Sequence, residues 1–148
     1  MATFAVFCAG TLLGPKLGAL SLAVWVALGA AGVPVFSLFR GGLAALVGPT
    51  GGFIIGYVPA AFLIGLINEK INKENKTLLY PVSMLAGFFT YFAFGSIWFM
   101  YLTNAGLIEA LMTCVVPFIP GDLAKIAVAT FLVKRLCPVL HNKIYAQP

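Results

Sequence analysis

Long apolar segments, separated by only a handful of charged residues, restrict the possible folds of this chain more than any other feature. They lie at about 2–13, 17–33, 53–67, 78–103, 107–119 and 121–139. Charged residues make up 9% of the chain, whereas a soluble domain contains about 25%. Because so few charges cannot keep a water-facing surface polar, the segments predict helices in a lipid bilayer. We therefore predict an all-α, polytopic membrane bundle that forms a single domain over residues 1–148.

The basic residues lie mainly between and after the apolar segments, and their positions predict an orientation. Lys and Arg are retained on the cytoplasmic side of membrane proteins. Seven of the nine fall on one side of the predicted topology: Lys16, Lys70, Lys73, Lys76, Lys134, Arg135 and Lys143. The distribution predicts a multi-pass protein with a cytoplasmic C-terminus. The net charge of +5 forms no continuous basic stripe, so we expect no nucleic-acid partner.

The first apolar segment is short for a complete span. Residues 2–13 give about 18 Å of helix, whereas the hydrocarbon core of a bilayer is about 30 Å thick. The segment does not match a cleaved signal peptide, because it has no basic region before it. We therefore expect an N-terminally truncated bundle of about five spanning helices, with a short interfacial helix within 107–119.

Asp122 and Lys125 are ionisable residues that the sequence places inside the bilayer, where charges are costly and mark functional sites by default. Their three-residue spacing puts both side chains on one helix face, one turn apart. A helix cap at Asp122 with a self-neutralising ion pair is an equally good interpretation of the aspartate. It leaves unexplained the lysine, which costs about 2.5–3.5 kcal/mol at a helix centre. Together the pair offers an acceptor and a charged donor to a polar ligand.

A glycine-rich loop at 34–52 is the second candidate binding site. Gly48, Gly51 and Gly52 allow the backbone to approach a ligand closely. Arg40, the only charge in the loop, either pairs with an anionic ligand group or stays in water. The loop does not match GxxxxGK[ST], so we expect no ATP hydrolysis by this chain. An ordinary extracellular turn is the alternative.

The third apolar segment carries small residues at helical spacing. Gly52, Gly56 and Ala60 recur every four residues. Such a spacing lets helices pack backbone against backbone in lipid. It favours a role in helix packing over direct ligand contact.

The longest segment carries Gly87, Tyr91, Gly95 and Trp98 on one helical face. Glycines between aromatic rings predict a hollow that suits a flat apolar ligand, with Tyr91 and Trp98 as binding residues. An aromatic stripe at this spacing is more often part of a packed core.

Residue patterns typical of enzymes and metal sites do not occur in the sequence. Cys8, Cys114 and Cys137 stand singly in apolar segments, and His141 is the one histidine. The sequence offers no Ser/His/Asp combination and no close pair of carboxylates for acid–base catalysis. We therefore expect no catalytic residue, no cofactor and no metal.

The stretch GPTGGFIIGY at 48–57 resembles the signature of the BioY family, the biotin-specific substrate-binding (S) components of energy-coupling-factor (ECF) transporters. Three other stretches agree with this family in order: AGTLLGPKLG at 9–18, GVPVF at 32–36 and PFIPGDLAK at 117–125. The face with Tyr91 and Trp98 is similar too. The resemblance extends over about residues 5–137.

The resemblance implies a bundle that has six helices in the complete family and holds biotin near its outer surface. It implies capture and transport of the vitamin in a prokaryotic plasma membrane, with a transmembrane coupling protein and two ATPase subunits as partners. Asp122 and Lys125 are then expected to bind the polar head or the carboxylate of biotin. The glycine loop is expected to form a lid and wall, with Arg40 as a weaker candidate.

Two departures from the family pattern and several rival hypotheses accompany this resemblance. Phe53 stands where the family usually has tyrosine, and the first family helix, which usually carries a motif for docking on the coupling protein, is expected to be absent. An S component for another vitamin is one alternative, because a fold can outlast a change of substrate. A structural membrane protein without a ligand and a lipid-modifying membrane enzyme are the others.

Overall fold

The structure is a computed structural model that describes residues 2–70 and 76–144, nearly all of them helical. In chain order the helices are α1 (Ala2–Ala30), a 3-10 helix (Ser37–Phe39), α2 (Leu43–Val47), α3 (Gly51–Lys70), α4 (Lys76–Thr103), α5 (Leu107–Cys114) and α6 (Ile119–Ile144). The described residues contain no strand. The prediction of an all-α bundle is therefore confirmed.

Within residues 2–70 and 76–144, three helices are long and apolar enough to cross a membrane: Ala2–Ala30, Gly51–Lys70 and Leu78–Thr103. A fourth crossing is available if Leu107–Cys114 and Ile119–Val139, which meet at an angle of 53°, count together as one broken span. Each of the five apolar segments predicted to span is present as helix, although the first two are joined in α1.

α1 is bent back on itself, because the chain reverses direction at Gly14. This residue has φ 82° and ψ −178°, which glycine adopts without a steric penalty. The limb after the reversal returns along the limb before it, so that a Cβ on Gly18 would lie 2.8 Å from the carbonyl oxygen of Ala9. Residues 2–13 and 17–30 thus form a helical hairpin, with the turn where the sequence predicts it.

α3 lies between the α1 hairpin and α4. On the α4 side, the backbone of Gly52 lies against Trp98 and that of Gly56 lies against Tyr91, while Ala60 is completely buried. A side chain at either glycine would displace α4, so these small residues set the distance between the two helices.

On the opposite side of α3, small residues bring the helix against the α1 hairpin. A Cβ on Gly10 would lie 2.8 Å from the carbonyl oxygen of Ala61. Gly65 touches the backbone of Gly14 and Pro15 at the reversal. The close approach of backbones sets the distance between the hairpin and α3.

The hollow predicted beside the glycines of α4 does not exist, because neighbouring side chains occupy it. The ring of Phe53 fills the space at Gly95, and Ile64 fills the space at Gly87. These glycines accommodate large side chains of α3 and leave no room for a ligand. The core-packing alternative is the correct one for this pair.

The segments between the spans differ in detail from the prediction. The loop predicted at 34–52 contains the 3-10 helix and α2, and α3 begins at Gly51, two residues before the predicted start. α5 covers the first part of the predicted interfacial piece and exposes Leu107, Ile108 and Glu109. Among the basic residues that predict the orientation, Lys73 lies outside the described residues, as do the side chains of Lys76 and Lys143.

Candidate functional site

Asp122 lies in the first turns of α6 with its carboxylate buried inside the bundle, where the residue is 2% exposed. α6 begins at Ile119, so Asp122 is inside the helix, and its own amide donates to the carbonyl of Phe118 at 2.9 Å. The carboxylate oxygens accept from side chains instead: Oδ2 from the hydroxyl of Tyr91 at 2.6 Å, and Oδ1 from Lys125 at 2.8 Å. The helix-cap interpretation of Asp122 is therefore wrong.

Lys125 lies one turn further along α6 and forms an ion pair with Asp122. Its Nζ also donates to Thr3 Oγ1 at 3.0 Å, and the hydroxyl of Thr3 donates to Asp122 Oδ1 at 3.2 Å. The three polar atoms form a closed triangle that joins the start of α1 to α6. Because the carboxylate is paired and hydrogen-bonded, the bundle tolerates its burial.

This polar cluster faces a cavity of about 620 Å³, a size typical of small-molecule sites. The wall includes residues of α1, the 34–50 segment, α3, α4 and α6, among them Thr3, Trp25, Phe36, Arg40, Gly48, Phe53, Tyr57, Tyr91, Asp122 and Lys125. Most of the wall is apolar or aromatic. Within the described parts of the chain, no three His, Cys, Asp or Glu residues converge to hold a metal ion.

Aromatic rings form a continuous side of the cavity. Tyr57 of α3 meets Tyr91 edge to face at a centroid distance of 5.4 Å and lies 6.3 Å from Trp25. Trp25 in turn meets Phe36 edge to face at 5.0 Å. Edge-to-face pairs are a favoured arrangement of aromatic rings, so these contacts stabilise this side of the cavity within the protein itself.

Of the three loop glycines predicted to bind the ligand, one lines the cavity. Gly48 lines it, and the carbonyl of Gly48 accepts a hydrogen bond from Trp98 Nε1 at 3.0 Å. Gly51, Gly52 and Trp98 lie behind the wall, where Gly51 packs against Leu46 and Gly52 packs against Trp98. Their predicted role in binding stays a prediction, and it would have to act through the packing of the wall.

Arg40 lines the cavity from the loop and is exposed, unlike the buried Asp122. Its backbone carbonyl accepts from the amide of Phe36 at 3.0 Å, which closes the turn around the 3-10 helix. The guanidinium therefore stands at the solvent-facing part of the cavity. A charged group of a ligand could meet it there while the rest of the ligand is enclosed.

The wall residues that the sequence analysis does not identify include Thr3, Trp25 and Tyr57. Thr3 is separated from its two partners by 119 and 122 residues, so no local spacing connects them. Trp25 and Tyr57 lie in apolar segments where an aromatic residue is ordinary. Tyr57 ends the stretch that resembles the family signature, and this was the one available signal for it.

Comparison with known proteins gives a consistent result over nearly the whole chain. The model of the BioY family matches residues 1–142. A protein of Rhodobacter capsulatus named biotin transporter BioY is 40% identical over 151 residues, covering 96% of this chain and 80% of its own length. A protein of Thermotoga maritima with the same name is 39% identical over 133 residues, covering 90% and 76%.

A solved structure shares the fold described above. It is a crystal structure described as the S-component for biotin from an ECF-type ABC transporter. The TM-score is 0.83 at 34% sequence identity, and the match covers 92% of this chain and 73% of the other. The arrangement of helices around the cavity is therefore one that an experimentally determined S-component also has.

Proposed function

The chain belongs to the BioY family, and from that premise we propose that it captures biotin in the cavity and serves in its transport across the membrane as a substrate-binding subunit of an ECF-type transporter. The observation that carries the proposal is the Asp122–Lys125 pair, held by Thr3 and Tyr91, on the wall of an otherwise apolar cavity. This combination matches a ligand with a small polar head and an apolar body.

The polar cluster has the right remaining hydrogen-bonding capacity for the ureido ring of biotin. That ring carries two N–H donors and one carbonyl acceptor. Among the described residues, Asp122 Oδ2 accepts from Tyr91 alone and has capacity for another donor, while Lys125 uses two of its three N–H groups in hydrogen bonds to Thr3 and Asp122. We therefore place the ureido ring at this pair, with an N–H on Asp122 and the carbonyl on Lys125.

The opposite orientation would bring the carboxylate of biotin to the same pair, and it is less favourable. A second carboxylate beside the buried Asp122 would add a repulsive charge where the dielectric is low. Arg40 offers an alternative partner for the carboxylate in the exposed part of the cavity. The thioether ring and the aliphatic chain then lie along Trp25, Tyr57 and Tyr91, which supply apolar surface.

The distribution of basic residues supports an outward-facing cavity. The first limb of α1 begins beside Thr3, α3 follows Thr50 and α6 follows Phe118, and these three residues line the cavity. The reversal of α1 and the ends of α3 and α6 therefore lie on the far side of the bundle. That side has Lys16 at the reversal and Lys70 at the end of α3, and further basic residues occur in the second half of α6. The positive-inside rule then places the C-terminus in the cytoplasm and the cavity at the outer surface.

Transport requires partners, because this chain carries no phosphate-binding loop of the GxxxxGK[ST] type. We propose that an ECF transmembrane coupling protein and two ATPase subunits supply the energy. The support for these subunits is the fold shared with an S-component of an ECF-type transporter. The present chain then contributes capture and release, and it performs no chemistry on the vitamin.

Equilibrium binding of radiolabelled biotin to the purified chain in detergent tests the proposal directly. We expect saturable binding that unlabelled biotin displaces and that riboflavin, thiamine and pantothenate do not. Displacement by one of the other vitamins would identify an S component of different specificity. A folded chain that binds none of the four would overturn the proposal in favour of a structural membrane protein.

A further inference from the structure

We infer that Thr3 is a positioning residue, which directs Lys125 at the ligand and makes the site selective for a ligand head that carries an acceptor oxygen. The inference rests on the proposed capture of biotin and adds a specificity-determining residue to it. Thr3 lies outside the four stretches that resemble the BioY family, and the proposed contacts with biotin do not include it.

The hydroxyl of Thr3 makes its contacts with the polar cluster and not with its own helix. Its oxygen lies 3.0 Å from Lys125 Nζ and 3.2 Å from Asp122 Oδ1, and the residue is 8% exposed. Helical threonines commonly donate to a carbonyl four residues earlier, as Thr11 does to Phe7 at 2.8 Å. At the first turn of α1 the hydroxyl of Thr3 instead crosses to α6, where a buried polar group needs a partner.

The direction of each hydrogen bond in the triangle follows from the number of protons available. The hydroxyl of Thr3 has one hydrogen, and it goes to the carboxylate of Asp122. Its lone pair is then left to accept from the ammonium of Lys125, which also donates to Asp122. Two of the three N–H groups of Lys125 are thereby used within the protein, and the third is left for the cavity, which Lys125 lines.

An N–H group that the ammonium of Lys125 holds in a fixed direction favours ligands that place a hydrogen-bond acceptor at that point. A carbonyl oxygen at this point accepts a charge-assisted hydrogen bond, which is stronger than a neutral one. A cationic or purely donating group there meets a like charge and finds no acceptor. Without the oxygen of Thr3, the ammonium would be held at Asp122 alone and would be free to turn away, so the advantage of an acceptor oxygen would shrink.

Biotin and 2-iminobiotin provide the matched pair of ligands that this inference needs. In 2-iminobiotin a nitrogen replaces the ureido oxygen, and the resulting guanidinium carries only donors at neutral pH. We expect Thr3→Val, which keeps the branched shape and removes the hydroxyl, to lower biotin affinity about tenfold, the order expected for a lost hydrogen bond to a charged group. The affinity for 2-iminobiotin should change less than about twofold, so the preference for biotin falls about tenfold.

Two further variants connect the effect to Lys125. Thr3→Ser keeps the hydroxyl and should restore most of the preference for biotin. In a Lys125→Met background Thr3→Val should have no further effect on either ligand, because the group it positions is absent. Thr11→Val is the matched control, since its hydroxyl is bonded within its own helix and does not line the cavity.

The outcomes separate this inference from the proposed function. Failure of the unsubstituted chain to bind biotin would overturn the proposed function and this inference with it. If the unsubstituted chain binds biotin and Thr3→Val either binds it equally well or loses both ligands by the same factor, only the positioning role is overturned. If Thr3→Val does not fold, Thr3→Ala removes the same hydroxyl with a smaller side chain, and the same expectations apply.

Discussion

The two ends of the bundle join their helices in different ways. At the cavity end, defined by Thr3, Trp98 and Asp122, side chains from distant parts of the chain meet through hydrogen bonds and leave a space between them. At the reversal end, defined by Gly14, Gly18 and Gly65, backbone lies directly on backbone. The cavity end leaves space for a ligand, and the reversal end holds the helices at fixed distances.

The difference indicates that, in this small membrane protein, one set of residues determines the stability of the fold and another set determines ligand binding. Close packing of glycines gains van der Waals contact in a medium where the hydrophobic effect between helices is weak. Polar contacts at the cavity end are satisfied within the protein but retain unused capacity. We therefore expect substitutions at the reversal end to lower mainly the stability of the fold, and substitutions at the cavity end to lower mainly the affinity for biotin.

The largest expected effect is at the reversal end, where Gly65 touches the backbone of Gly14 and Pro15. Gly65→Val should lower the free energy of unfolding by about 3 kcal/mol, because backbone atoms cannot move aside as a flexible side chain would. Denaturation in detergent, followed by tryptophan fluorescence, measures the change. Gly106→Val is the control, since a Cβ there meets nothing within 4 Å. An unchanged unfolding midpoint for Gly65→Val would contradict the role given to this end.

The next effect concerns Lys125 at the cavity end. Lys125→Ala should weaken biotin binding by roughly 1.5–3 kcal/mol, the usual contribution of a hydrogen bond to a charged group. Equilibrium binding of radiolabelled biotin measures this loss. Lys134→Ala, which removes an exposed lysine of the same helix, is the matched control. Affinity that is unchanged in Lys125→Ala would remove this residue from the site.

A smaller effect is expected from the hydrogen bond that ties the glycine loop to α4. Trp98→Phe keeps an aromatic ring but removes the donor to the carbonyl of Gly48, 3.0 Å away. Biotin binding should weaken by about 0.5–1.5 kcal/mol, mainly through faster release, because the loop is held less firmly over the cavity. A chase with unlabelled biotin measures the release rate, with the exposed Tyr101→Phe as control. An unaltered release rate would show that the hydrogen bond from Trp98 to Gly48 does not slow the release of biotin.

The smallest effect is predicted for Arg40, because this side chain is exposed. Arg40→Ala should weaken biotin binding by less than about 1 kcal/mol, and the loss should shrink as salt is added. Biotin amide, which lacks the anionic group, should bind to Arg40→Ala and to the unsubstituted chain equally well. A loss that is the same for biotin and its amide would place the carboxylate elsewhere.

Much of the fold could be predicted from the sequence, because local patterns determine it. Apolar runs located the helices, and the break between the runs at 2–13 and 17–33 located the reversal of α1. The spacing of Asp122 and Lys125 correctly placed both on one face of α6, where they line the cavity. These features depend on residues that are neighbours in the chain or one helical turn apart.

The rest of the site depends on contacts between residues far apart in the sequence, which a local sequence pattern cannot predict. Thr3 meets α6 only because the hairpin and α3 bring the start of the chain next to it. The glycines of α4 suggested a hollow, but whether such a space stays open depends on which side chain of α3 faces it. Phe53 happens to fill the space at Gly95. Such facts follow from the assembled bundle alone.

The triangle of Thr3, Asp122 and Lys125 also has a consequence for how the protein is made. Thr3 is synthesised 119 residues before Asp122 and 122 residues before Lys125. On the proposed assignment of the site, a nascent chain without α6 has the aromatic wall but neither Asp122 nor Lys125 to bind biotin. We therefore expect affinity for biotin to arise only when α6 enters the membrane, so that translation products lacking α6 do not sequester the vitamin.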